Sequence, residues 1–243
     1  RAEGGEPFTV RFRIPEGEGA TVFEDEVYGR QERKHKDTED FGLLRPDGSP
    51  LYNFVVVCDD IEMAISHVIR GQDHLSNTHK QTLIYEALGK TPPVFAHLPL
   101  INAPDRSKLS KRKHGEVVSV TTYRDKGFIP EAFRNFLALI GWSSGTDKEF
   151  FTTPELIEAF SLSGVSRGNA IVNFSETDSR QWTDRKALHL NAEHMNKMPL
   201  ESLLPMVEVE LKAADLWKEA WGESGNQRGW FAKTVDLLRP RFI

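Results

Sequence analysis

Apolar and polar residues alternate from Phe8 to Ile14, the period of a half-buried strand. Pro15 to Gly19 reads as a turn and strand character resumes from Thr21 to Tyr28, so the pattern predicts a β-hairpin. Residues 29–40 are charged and expected at the surface. Asp47-Gly48-Ser49-Pro50 is a turn. Tyr52 to Cys58 is almost continuously apolar, which predicts a strand buried on both faces of a parallel sheet and ended by a turn at Asp59-Asp60. His67 to Arg70 is a short strand closed by Gly71. From Asp73 the spacing is helical, with Leu83, Ile84, Ala87 and Leu88 on one face and Gly89 as the stop. Val94 to Ile101 is the next strand. Strand, helix and strand at this spacing predict a βαβ unit.

After a basic loop at 105–114 the pattern is mainly helical. Pro130 opens a helix whose apolar stripe is Phe133, Phe136, Leu137 and Ile140, and Gly141 ends it. Thr153-Pro154-Glu155 caps a second helix. A third is expected from Ser175 through Trp182 to about residue 190, and two more amphipathic helices over 199–217 and 228–239. No internal repeat or low-complexity tract is present.

Composition changes this picture little. With 39% hydrophobic and 28% charged residues, the chain is that of a packed globular protein. No apolar run approaches the roughly 20 residues of a membrane span, and Arg1-Ala2-Glu3-Gly4-Gly5 is polar where a signal peptide needs an apolar core. One cysteine, Cys58, excludes an internal disulfide framework and a multi-cysteine metal site, and points to a reducing cytoplasm. His67, His74, His79 and His97 lack metal-ligand spacing, so no metal site is expected. Gly89-Lys90-Thr91 lacks the upstream glycine of a P-loop. The net charge of -5 argues against capture of nucleic acid by the whole surface, but it conceals a basic patch of Arg106, Lys108, Lys111, Arg112 and Lys113.

That patch carries the candidate chemistry. Lys108-Leu109-Ser110-Lys111-Arg112 follows a strand by a few residues, and in parallel sheets ligands bind beyond the carboxyl ends of the strands. Two lysines at i and i+3 on such a loop can neutralise charge on the β- and γ-phosphates while an α-phosphate is attacked. Reactions of this type need positioning and electrostatics rather than a nucleophilic side chain. Taken alone, a basic loop is equally well a solvated face.

Lys108-Leu109-Ser110-Lys111-Arg112 resembles the second signature of class I aminoacyl-tRNA synthetases, and its ending in Arg plus a further basic residue resembles the glutamyl branch. Further blocks match that branch in order: Gly48 to Phe54, Val57 to Asp60, His67 to His74, Ala96 to Ile101, Gly127 to Ala132 and Leu139 to Trp142. The resemblance covers most of residues 1–190. It implies an α/β fold: the second half of a Rossmann-type nucleotide-binding fold with an α+β insertion. A mainly helical stem-contact region and the start of a helical anticodon-binding domain would follow. The implied boundaries are 1–46 for the end of the acceptor-stem insertion, 47–104 for the Rossmann half, 105–190 for the signature loop and stem-contact region, and 191–243 for the helical start.

The resemblance also implies roles. Lys111, supported by Lys108, contacts ATP phosphates as the catalytic pair. Ser110, Arg112, His74 and the backbone at Leu100 and Ile101 belong to the ATP site. Tyr52 and Arg70 bind glutamate, Arg70 through a guanidinium–carboxylate pair. Mg²⁺ accompanies ATP. The implied partners are L-glutamate, ATP and tRNA(Glu), in a monomeric cytoplasmic ligase that forms glutamyl-adenylate and transfers glutamate to the tRNA end. The family's first signature is absent from these residues, and Val55-Val56-Val57 replaces a polar pocket residue of some relatives. The chain starts without Met and ends in a helical turn, so it is expected to be an internal piece, inactive alone. The alternatives are a non-catalytic tRNA-binding fragment, or a truncated paralogue that glutamylates a modified tRNA base.

Overall fold

A computed structural model describes residues 6–175 and 178–242. The expectation about the polar start at residues 1–5 lies outside them. The chain divides into two compact units, residues 1–100 with 161–169, and residues 101–160 with 170–243.

In the first unit, β1 (Val10–Phe12), β2 (Ala20–Asp25), β3 (Gly29–Lys34) and β4 (Phe41–Leu44) precede α1 (Tyr52–Glu62), β5 (His67–Gly71), α2 (Leu75–Ala87) and β6 (Val94–Leu98). The main sheet has the order β3-β2-β6-β5, with β6 parallel to both β2 and β5. The β5–α2–β6 crossover is the expected βαβ unit. The expected hairpin is re-paired: β1 runs antiparallel to β4, and β2 turns directly into β3. The turn explains this. The Asp25 carboxylate accepts the backbone N–H groups of Val27 (3.1 Å) and Tyr28 (2.9 Å), and Gly29 takes the left-handed conformation at φ 71°. Residues 29–34 are therefore a strand, alternately exposed as their charges require.

The largest correction is α1. The expected strand at 52–58 is helix, and Asp59 and Asp60 lie in its last turn rather than in a strand-ending turn. Phe54, Val57 and Ile61 recur at helical spacing, and all three pack in the core formed with Phe23, Leu83, Tyr85 and Phe95. Tertiary burial outweighs the β-preference of Val55-Val56-Val57, a difference on the order of 1 kcal/mol. On α2 the buried face is Leu83, Ile84 and Tyr85, each 2% exposed, whereas Ala87 and Leu88 are exposed. Gly89 ends the helix at φ 64°. The last strand stops at Leu98 because Pro99 has no N–H for the ladder.

In the second unit β7 (Ile101–Asn102) pairs in parallel with β8 (Ala170–Ile171). Between them lie a single turn α3 (Lys111–His114), α4 (Val120–Asp125), α5 (Pro130–Leu139) and α6 (Thr153–Ala159); α7 (Arg185–Lys197), α8 (Leu200–Ala213) and α9 (Arg228–Leu238) follow. Pro130 opens α5 as expected, but Leu137 faces solvent and Ala132 and Phe136 supply the buried stripe. The cap of α6 is Thr152, one residue earlier than expected, in a reciprocal capping box with Glu155. Ser175 does not cap the third helix: α7 begins at Arg185, where the Asp184 side chain accepts the Lys186 N–H. Trp182 instead packs on Tyr123 and Phe128. A separate core of Leu203, Leu204, Phe231 and Val235 joins α8 to α9, with Trp217 and Trp221 against it.

Candidate active site

In the first unit a polar cluster sits at the carboxyl ends of β5 and β6. The half-buried Arg70 projects from β5 and its guanidinium is held on several sides. Nε donates to His97 Nε2 (3.3 Å), and Nη2 donates to Thr78 Oγ1 (2.7 Å) and Gln81 Oε1 (2.6 Å). Nη1 points to the Tyr52 hydroxyl at 3.5 Å. Thr78 and Gln81 are on the buried face of α2, one turn apart, so both reach the same guanidinium. Gln81 in turn donates to Asn53 Oδ1 (3.1 Å) on the first turn of α1.

Every one of these partners of Arg70 is neutral, and among the described residues no carboxylate forms an ion pair with it. Burial lowers the Arg70 pKa, while the nearby Tyr52 and Asp60 oppose that shift. The Asp60 carboxylate accepts the Tyr85 hydroxyl at 3.3 Å. A guanidinium oriented in this way is chemically suited to pair with an external carboxylate.

Tyr52, Arg70 and His74 converge. Tyr52, at the first turn of α1 and 49% exposed, places its hydroxyl 3.3 Å from His74 Nδ1, and the rings lie 5.7 Å apart. Asn77 approaches the same His74 nitrogen at 3.2 Å. The backbone N–H of Leu100 is occupied by Asn169 Oδ1 at 3.1 Å.

In the second unit the signature loop folds back on β7. Leu109 N–H donates to the Ile101 carbonyl (2.8 Å), and Ala103 N–H to Ser107 (2.9 Å). His114 Nδ1 accepts the Ser110 N–H at 3.1 Å. Lys113 donates to Asp105 (2.7 Å) and Ser107 (2.8 Å), and that contact holds the Asp105 carboxyl well below the usual carboxylate range. Lys108, Lys111 and Arg112 are exposed, and Lys111 and Arg112 have no ion-pair partner among the described residues. The Leu100 N–H is thus engaged, whereas the Ile101 carbonyl, with two lone pairs and one accepted bond, keeps acceptor capacity.

Sequence reasoning missed Asp25, Asn53, Thr78 and Gln81, and treated His97 as one of several scattered histidines. Only part of the signal lay in the sequence: His97 is a polar residue within an otherwise apolar strand, and Thr78 and Gln81 fall on the buried face of a helix. Among the described residues no group of three or more His, Cys, Asp or Glu could hold a metal ion, and no helix is long and apolar enough to cross a membrane.

Residues 1–197 match the family described as tRNA synthetases class I (E and Q), catalytic domain. The chain belongs to that family. A glutamate–tRNA ligase of Solibacter usitatus is 54% identical over 217 residues, 87% of this chain and 45% of the relative. One of Desulfotalea psychrophila is 45% identical over 238 residues, 98% of this chain and 48% of the relative. The crystal structure of a glutamate tRNA ligase from Elizabethkingia meningosepticum, in complex with its amino acid, superposes with a TM-score of 0.81 at 29% identity, covering 99% of this chain and 47% of that one. The chain thus spans about half the length of the curated relatives it matches.

Proposed function

We propose that this chain carries the carboxyl-side part of the active site of a glutamate–tRNA ligase. The observation that carries the reading is Arg70: a half-buried cation at the end of β5, oriented by Thr78, Gln81 and His97 and in no ion pair with a carboxylate among the described residues. Arg70 binds a carboxylate of L-glutamate, and the Tyr52 hydroxyl shares that pocket. The free α-carboxylate of glutamate attacks the α-phosphorus of ATP. Pyrophosphate leaves, and glutamyl-adenylate forms. A terminal ribose hydroxyl of tRNA(Glu) then attacks the acyl carbon, and AMP leaves.

Lys108 and Lys111 neutralise the charge that builds on the departing pyrophosphate, with Ser110 and Arg112 in the same loop. His74 and the backbone at Leu100 and Ile101 hold the nucleoside. Mg²⁺ enters with ATP as its usual counter-ion. The parent protein is a cytoplasmic monomer. Its parts here are the acceptor-stem insertion (1–46), the Rossmann half (47–104), the signature loop and stem-contact region (105–190) and the start of the helical anticodon domain (191–243). Residues 1–243 by themselves do not activate glutamate, because the residues that grip the phosphates from the other side are not among them.

The test is glutamate-dependent ATP–pyrophosphate exchange by the complete gene product. Arg70→Ala raises the glutamate KM by about 100-fold, the loss of a charge-assisted pair, with ATP KM little changed. An unchanged glutamate KM would exclude Arg70 as the carboxylate receptor.

A further inference from the structure

Behind Arg70 lies a buried pair that the proposed chemistry does not use. His97 is 0% exposed and Asp25 3% exposed, and their side chains meet at 2.5 Å between Nδ1 and Oδ2. We infer that Asp25 and His97 are positioning residues for Arg70: Asp25 fixes the proton of His97 on Nδ1, so that Nε2 receives the guanidinium Nε–H. The inference rests on the reading of Arg70 as the glutamate receptor.

The hydrogen-bond inventory dictates the arrangement. A guanidinium Nε–H can only donate, so the His97 Nε2 that it meets at 3.3 Å must present a lone pair. The single proton of a neutral ring then sits on Nδ1, facing Asp25. Every group that faces Asp25 is a donor: the backbone N–H groups of Val27 (3.1 Å), Tyr28 (2.9 Å) and His97 (3.1 Å), and the ring N–H. The carboxylate is thereby clamped by the β2–β3 turn and by β6, and the imidazole transmits that rigidity to Arg70. The Thr78 hydroxyl, 3.1 Å from Nε2 and 2.7 Å from Nη2, closes the triangle.

The choice of histidine has a chemical reason. A carboxylate placed directly on Arg70 would orient it equally well but would neutralise it and compete with glutamate. A neutral imidazole orients the guanidinium without cancelling its charge, and Asp25 stays one ring away. With Nε on His97 and Nη2 on Thr78 and Gln81, Nη1 is the arm directed at the Tyr52 side of the pocket.

The experiment uses the complete gene product and compares KM for glutamate, KM for ATP and kcat in pyrophosphate exchange. In Asp25→Asn, an amide that donates toward His97 Nδ1 moves the ring proton to Nε2, where it opposes the Arg70 N–H. The expected result is a glutamate KM raised about ten-fold or more, with ATP KM within about two-fold of the unsubstituted protein. His97→Leu removes the acceptor and has the same effect. His97→Gln, whose Oε1 can take the guanidinium proton, recovers the glutamate KM to within about three-fold. If Asp25→Asn does not fold, the His97→Leu and His97→Gln pair decides the matter. Folded Asp25→Asn and His97→Leu proteins with unchanged glutamate KM overturn the inference, and so does a His97→Gln protein as impaired as His97→Leu. Arg70→Ala in the same assay separates the two ideas: a raised KM there, with no effect at Asp25 and His97, removes the positioning role and leaves the receptor reading intact.

Discussion

Two lysines of the signature loop, two residues apart, have different surroundings. Lys113 is engaged with Asp105 and Ser107, so its charge is partly balanced by the loop that carries it. Lys111 is exposed at the start of α3, with no ion-pair partner among the described residues. A cation meant for a transferring phosphate must keep its charge available until the ligand arrives, and Lys111 meets that requirement. Lys111→Ala is therefore expected to lower kcat for pyrophosphate exchange by about 10²–10³, the scale of one lost transition-state contact, while Lys113→Ala lowers it by at most about ten-fold through loop disorder. Equal losses at the two positions would remove the distinction drawn between them. The basic character of this loop was legible in the sequence, and the resemblance singled out Lys111. The division of labour was not, because it depends on Asp105 turning back to Lys113.

Elements were legible where one periodicity dominated. The strands at 67–71 and 94–98 and the helices at 75–87, 130–139, 200–213 and 228–238 follow from their patterns. Failures occurred where long-range packing outweighed local preference. Three consecutive valines suit a strand, yet α1 buries Phe54, Val57 and Ile61 along one helical face. The polar cluster was illegible for a related reason: Asp25, Thr78, Gln81 and His97 are far apart in sequence, and only the β2–β6 and β5–β6 pairings bring them together. In the second unit two asparagines lock α5 to α7. Asn191 accepts the Ile129 N–H (3.0 Å) and donates to the Gly127 carbonyl (3.2 Å), which satisfies backbone groups at the mouth of α5. Asn135, 0% exposed, accepts from Phe151 N–H (2.9 Å) and from His194 (3.1 Å). Asn191→Ala leaves the buried Ile129 N–H unpaired, so urea denaturation is expected to show a loss of about 1–3 kcal/mol. A loss below about 0.5 kcal/mol would mean that water replaces the amide.

Across the whole molecule the buried histidines set the response to acid. His79 and His97 belong to the first unit and His194 to the second, and burial lowers the pKa of each from the usual 6.5. For His97 the adjacent Asp25 opposes that shift without reversing it. In the unfolded chain these rings take up protons as pH falls through about 6.5, while in the folded protein they remain neutral until a lower pH. The unfolded state therefore binds more protons in this window, and stability falls as pH falls, by at most about 1.4 kcal/mol per pH unit for each ring. The carboxylates act in a separate, lower window. Glu155 is held down to about 2 by Lys148 and Thr152, so its contribution is lost progressively as pH falls from about 4.5 to about 2. Scanning calorimetry at constant ionic strength is thus expected to show a melting temperature that drops between pH 7 and 5.5, before the carboxylates titrate. His194→Gln keeps a side-chain donor for Asn135 and removes one titrating ring, so its pH slope is expected to be shallower by about one proton. A melting temperature that is flat or rises on acidification across that interval would show that the three rings are charged in the folded protein. For His97 that result would also replace the lone pair that faces Arg70 with a second cation.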